Sequence, residues 1–358
     1  MSGQARNLRG NNFGILRILF AALVVVSHSP EILDGNRSRE IMTRLFGTIS
    51  LGEFAVDGFF LVSGYLITKS FSDHPDILSF IIKRAARIAP GYLVSFWVCA
   101  LMIAPFVGAY HSVLSPGQLM NNLSDNIVFS APNVAGAFHG LPWPYLNGSM
   151  WTIIYEIRCY YVVVVAGAVA GILHFKIIRA RWMILAIVLV LLIVNGTGWH
   201  TSMSETLLTG NPETFFKFCS VFGVGALFYI FRDRIALTRA GAAGAFVLML
   251  LLLFHKPTAE AGVAVFGAYL MFWFALEYRQ LKISVYANRN DISYGLYLYA
   301  WPIQSLIVWN YRTINPWLLS LLALVGAGLA GFASWHLVEK HCLAFAHRIN
   351  LSYAKQVT

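Results

Sequence analysis

Several residues that do chemistry stand where an apolar chain should exclude them. Arg17 and His28 bracket the stretch RILFAALVVVSH, and Asp57 follows Glu53 in LGEFAVDGFFLVSG. Glu156 and Arg158 sit in SMWTIIYEIRCYY. On a helix, Arg17, Ala21, Val24 and His28 share one face, with the two polar groups roughly 16 Å apart along the axis. Glu53 and Asp57 share another face, which Gly64 continues, and Ser149, Thr152, Glu156 and Tyr160 form a third stripe. A charge at the centre of a spanning helix costs roughly 2.5–3.5 kcal/mol, so such groups face one another or a water-filled cavity. A proton acceptor (His28) and carboxylates (Asp57, Glu156) brought together would suit proton transfer. The same patterns also fit a snorkelling arginine with an interfacial histidine, and an ion-pair network that only fixes helix register.

The elements that must position these residues follow from composition. Of 358 residues, 58% are hydrophobic and only 12% charged, about half the charge of an ordinary soluble domain. That balance predicts an all-α, polytopic transmembrane helix bundle. Apolar segments at about 13–30, 46–68, 88–108, 149–173, 181–196, 214–231, 239–255, 260–277, 291–310 and 316–336 give about ten spans. Both termini then lie on one side. With that side cytoplasmic, only Arg37, Arg39, Arg44, Lys256 and Arg312 fall outside, and Arg17, Arg158 and Lys217 lie at membrane depth. The other eighteen lysines and arginines are inside, as the positive-inside rule requires. The asymmetry accounts for the net charge of +10 without nucleic acid. The expected organisation is a cytoplasmic segment 1–12, a membrane domain 13–345 and a cytoplasmic tail 346–358. Spans one, two and four would bring His28, Asp57 and Glu156 into one chamber between the midplane and the outer surface.

Arg84 and Arg87, in KRAARIAP (83–90), are i,i+3 neighbours suited to clamping phosphate, although topology alone also places basic residues at an inner helix end. The longest connection, about 109–148, lies outside, holds no lysine or arginine, and ends in the rigid aromatic run Leu141-Pro-Trp-Pro-Tyr145. Those aromatics suit stacking on sugar rings and equally suit an interfacial belt. The four cysteines form no CxxC pair, the remaining histidines match no metal-ligand spacing, and no metal is expected. Glycosylation sequons at Asn122, Asn147 and Asn195 are chance-level matches.

Six stretches in order, Arg17 to His28, GEFAVDGFFLVSGYLIT (52–68), KRAARIAP (83–90), NGSMWTIIYEIRCYY (147–161), ISYGLYLYAWP (292–302) and SWHLVEK (334–340), resemble the acyltransferase-3 family of integral membrane O-acyltransferases. The likeness runs from about residue 11 to 345. It implies transfer of an acyl group, usually acetyl from cytoplasmic acetyl-CoA, to a hydroxyl of a surface carbohydrate such as exopolysaccharide or lipopolysaccharide, in a bacterial inner membrane. His28 matches the family's essential histidine, the expected general base, and Arg17 its arginine partner. Asp57 and Glu156 match its acids, expected to orient the imidazole, and Arg84 and Arg87 its basic motif on the coenzyme side. The chain departs from the pattern at Ala300, where many members carry histidine, so no second histidine base is assigned. After Glu339 it reads Lys-His-Cys without the usual proline, which leaves Glu339 without an assigned role. A transporter or flippase of a glycan precursor, using the buried charges as a proton relay, is the alternative; the six ordered motifs and the lack of an internal repeat favour the enzyme.

Overall fold

The structure, a computed structural model, describes residues 10–172, 180–198, 203–206 and 209–357. Arg6, Arg9, Lys176 and Arg179 of the charge count, His174, His200, and most of the segment 1–12 lie outside the described residues. Those described are helical with no β-strand. In order they are α1 (Phe13–Asp34), α2 (Ile41–Phe46), α3 (Leu51–Asp73), α4 (Ile77–Trp97), α5 (Pro116–Ile127), α6 (Ile153–Ile172), α7 (Arg181–Thr197) and α8 (Pro212–Ile230). Then follow α9 (Arg239–Leu253), α10 (Lys256–Gly262), α11 (Ala268–Leu276), α12 (Lys282–Arg289), α13 (Ser293–Asn310), α14 (Pro316–Ser334) and α15 (Lys340–Val357).

Each of the ten expected apolar segments coincides with a helix. Among the described residues, seven helical stretches are long and apolar enough to cross a membrane, while α7 and α9 are apolar but shorter. The tenth, α13, is interrupted by tyrosine, serine and glutamine, because it lies inside the bundle rather than against lipid. Outer faces are apolar instead, with Ile193, Leu251 and Leu329 all well exposed, as a bilayer-facing surface requires.

Local chemistry moves several boundaries. The second expected segment, 46–68, begins later, at Leu51 of α3, because Ser50 and Glu53 form a reciprocal capping box: the Glu53 carboxylate accepts from Ser50 N at 2.7 Å, and Ser50 Oγ accepts from Glu53 N at 3.1 Å. Glu53 therefore stands in the first turn of α3. α4 starts at Ile77, capped by Asp76, so Arg84 and Arg87 lie inside it rather than before it. It continues through a π turn (Val98–Ile103) into a 3-10 turn (Ala104–Val107). A π turn at Trp335–Glu339 likewise joins α14 to α15, which runs on through the segment expected as a tail.

Small residues set the closest packing. A Cβ on Gly64 of α3 would lie 2.0 Å from the Phe222 carbonyl oxygen of α8, and one on Gly225 would lie 2.1 Å from the Leu61 oxygen. The two backbones thus touch, the geometry of small-residue helix contacts in membranes. At the start of α1, Asn12 accepts from Leu281 N at 3.0 Å and from Ser284 Oγ at 2.7 Å, tying the helix to α12. We term the end of the bundle where α1 begins basal and the end where it finishes apical.

Candidate functional site

A cavity of about 470 Å³ opens at the basal end between α1, α3, α4, α6 and α13. Its mouth is cationic: Arg17 comes from α1, and Lys83, Arg84 and Arg87 come from successive turns of α4. Asp291, just before α13, binds two of them, with Oδ2 at 3.0 Å from Arg17 Nη1 and 2.6 Å from Arg87 Nη2. Glu339 Oε2 stands 3.7 Å from Arg87 Nη1, and its other oxygen accepts from Ser334 Oγ at 2.8 Å. The π turn is what rotates Glu339 inward, where it is 1% exposed. Arg87 is therefore committed to two carboxylates. Lys83 and Arg84 have no carboxylate partner among the described residues, and the buried Nε donors of Arg17 and Arg84 are unfilled.

Further in, Glu156 accepts from Ser63 Oγ at 3.1 Å and from the Tyr160 hydroxyl. The cavity ends apically at Thr152 and Tyr297, whose hydroxyls are 2.7 Å apart. Of the expected stripe, Glu156 and Tyr160 on α6 and Thr152 in the 3-10 turn before it line the cavity, whereas Ser149 does not. Arg158 points elsewhere and lies over the Tyr155 ring at 4.8 Å.

One turn beyond Tyr297 on α13, Trp301 meets His28 edge-on, with ring centroids 5.1 Å apart. His28 Nδ1 is 2.9 Å from Glu31 Oε2, so a Glu31 carboxylate accepts from Nδ1–H and favours the tautomer whose Nε2 carries the free lone pair. Arg37 spans Glu31 (3.1 Å) and Glu53 (3.3 Å). Burial works against the Arg37 charge, yet the two carboxylates outweigh it and raise the pKa above the ordinary guanidinium value. Gln304 of α13 donates to Val25 O (2.8 Å) and to Ser29 Oγ (2.7 Å), locking α13 to α1 beside the imidazole.

The acids expected beside His28 are not there. Asp57 and Gly64 share a face of α3, and because Gly64 packs on α8, Asp57 is aimed at α8 too. It is fully buried, 4.0 Å from Lys217 Nζ, which is itself 3.0 Å from Glu260 Oε1. Glu156 faces the cavity instead, and Glu31 takes the orienting position. The structure thus brings Arg17, Arg84, Arg87 and Glu156 to one cavity, and places His28 in an apical cluster and Asp57 in a third. Spacing held a clue to Glu31, since an i,i+3 His–Glu pair on a helix faces one way. Asp291 carried no local signal, as its partners lie 274 and 204 residues away in sequence.

These features define a multi-helix membrane protein with a cavity lined by basic side chains beneath a carboxylate-bonded imidazole. The family model of the acyltransferase domain, acyltransferase-3, matches residues 11–336, and the chain belongs to that family. It is therefore an acyltransferase, which sets aside the transporter reading. The chain is similar to an O-acetyl transferase of Shigella phage Sf6, at 26% identity over 94% of this chain and 96% of the relative. It is also similar to nodulation protein 10 of Rhizobium leguminosarum bv. viciae, at 23% identity over 92% of each chain. A third relative, acyltransferase MdmB of Streptomyces mycarofaciens, is 32% identical over 24% of this chain and 22% of its own length. No solved structure is a significant match.

Proposed function

We propose that the protein is a ten-span O-acetyltransferase of a bacterial inner membrane, its basal end and both termini in the cytoplasm, with a membrane domain over 13–345. It moves acetyl from cytoplasmic acetyl-CoA to a hydroxyl of a surface carbohydrate. The observation that carries this reading is that α1 and α13 each run from the basic cavity to the oriented imidazole, with a residue at both ends. These pairs are Arg17 with His28, and Tyr297 with Trp301. The similarity to an O-acetyl transferase over nearly the whole chain supports the acetyl donor.

Lys83, Arg84 and Arg17 receive the coenzyme's phosphates at the cavity mouth, where charge-assisted bonds are strongest. Arg87 is a positioning residue, held by Asp291 and Glu339. The thioester lies toward Tyr297, and the sugar approaches from the apical end. His28 Nε2 takes the proton of the sugar hydroxyl as its oxygen bonds to the thioester carbon; the carbon–sulfur bond then breaks, and the proton passes to the departing thiolate. Glu31 stabilises the imidazolium in between, held in place by Arg37. Positioned proton transfer of this kind is worth about 10²–10⁴ in rate. Asp57, paired with Lys217 rather than with His28, supports the site through α3 and α8.

Membranes containing the protein, supplied with radiolabelled acetyl-CoA and de-esterified surface glycan, should yield alkali-labile label on the glycan. His28→Ala should abolish that label while the protein still inserts. Undiminished glycan label in the variant would overturn the mechanism, and no label with the wild type would overturn the activity.

A further inference from the structure

Beyond the imidazole lies an aromatic ladder that the transfer chemistry above does not use. Trp143 and Tyr145 are stacked, with centroids 6.1 Å apart and planes at 22°. Tyr145 is 6.4 Å from Trp301, which in turn is 5.1 Å from His28. The arrangement is built rather than incidental. Trp301 Nε1 donates to Tyr145 O at 3.1 Å, and the buried Asn147 donates to Leu298 O at 2.8 Å, pinning the loop to α13. The prolines at 142 and 144 stiffen the strip between them. Tyr145 nonetheless remains 53% exposed, and the buried indole N–H of Trp143 has no acceptor among the described residues. A rigid, exposed ring beside an unfilled buried donor is matched to a ligand with an apolar face and hydroxyls at its edge. No lysine or arginine occurs between 109 and 148, and Arg312, which reaches the loop from elsewhere in the chain, donates to Gly140 O at 3.1 Å.

We infer that Tyr145, stacked on Trp143 and backed by the buried Trp301, seats one pyranose ring of the acceptor by its C–H face, with a hydroxyl bonded to the Trp143 N–H, so that a neighbouring hydroxyl reaches His28. This rests on the acetyl-transfer reading. A single lost ring stack corresponds to about a threefold to tenfold loss of affinity.

The test measures acetyl transfer in membranes while varying, separately, acetyl-CoA and surface glycan de-esterified by mild alkali from the cells that make the protein. Tyr145→Ala and Trp143→Ala should each raise the KM for glycan about threefold to tenfold, with the KM for acetyl-CoA unmoved. Tyr145→Phe, which keeps the stacking ring, should restore the wild-type KM. An unchanged glycan KM in both alanine variants, or KM values for donor and acceptor rising together as a merely structural disturbance would cause, overturns the proposal. Absence of transfer by the wild type removes the parent reading and this one with it.

Discussion

His28 Nδ1 lies 2.9 Å from Glu31 Oε2, one turn further along the same helix. The pair is local in sequence, yet its effect is not, because the carboxylate is also gripped by Arg37 and so linked to Glu53 on α3. In the proposed mechanism an imidazole fixed in this way offers one nitrogen to the substrate and holds its positive charge against a buried anion. Glu31→Gln keeps the hydrogen-bonding shape but removes that charge and permits the wrong tautomer. We expect kcat to fall about 10²-fold with the KM for acetyl-CoA within about twofold of wild type. Steady-state kinetics on both substrates checks this, and an unchanged kcat would remove Glu31 from the mechanism.

The cavity mouth separates two kinds of arginine. Arg87 is bonded to carboxylates, whereas Arg84 has none and keeps an unfilled Nε. Arg84→Ala should therefore act on the coenzyme's phosphates, raising the KM for acetyl-CoA about 10–100-fold, the worth of a hydrogen bond to a charged group. The thioester of acetyl-pantetheine, which lacks the nucleotide and its phosphates, should be used equally by variant and wild type. A parallel loss with both donors would show that Arg84 shapes the bundle instead.

Asp57, Lys217 and Glu260 form a cluster in which one carboxylate is wholly buried. Lys217→Met leaves the Asp57 charge uncompensated and should destabilise the protein by about 3–5 kcal/mol. Adding Asp57→Asn should return most of that loss, because both charges are then gone. Thermal unfolding in lipid nanodiscs, run as a double-mutant cycle, measures the coupling. Additive single effects would contradict the pairing.

The apolar helices, their order and the buried acids were legible because each depends on residues close in sequence: apolar runs, and an arginine eleven residues before a histidine. What escaped was which way each helix faces. Asp57 and Glu156 were recognisable as membrane-depth acids, but whether α3 turns Asp57 toward α1 or α8 depends on Gly64 meeting Phe222, a contact between distant parts of the chain. Asp291 was invisible for the same reason, since it matters only once α1, α4 and α13 converge. Asn147, readable as a glycosylation sequon, is fully buried and holds the apical loop.

That facing can be tested directly. Gly64→Ala places a methyl group 2.0 Å from the Phe222 carbonyl oxygen, a backbone atom that no rotamer change can move. α3 and α8 must separate, and overpacking of this kind costs about 1–3 kcal/mol. Separation also shifts Ser63 against Glu156 and Asp57 against Lys217, so activity should fall together with stability. Gly244→Ala is the control: it lies within α9, a Cβ there meets nothing within 4 Å, and the change should be neutral or stabilise by about 0.5–1 kcal/mol. Unfolding temperatures that order the chains Gly64→Ala, wild type, Gly244→Ala would support the α3–α8 contact. Equal temperatures for Gly64→Ala and wild type would mean that these helices do not touch there, and with that the account of where Asp57 points would fail.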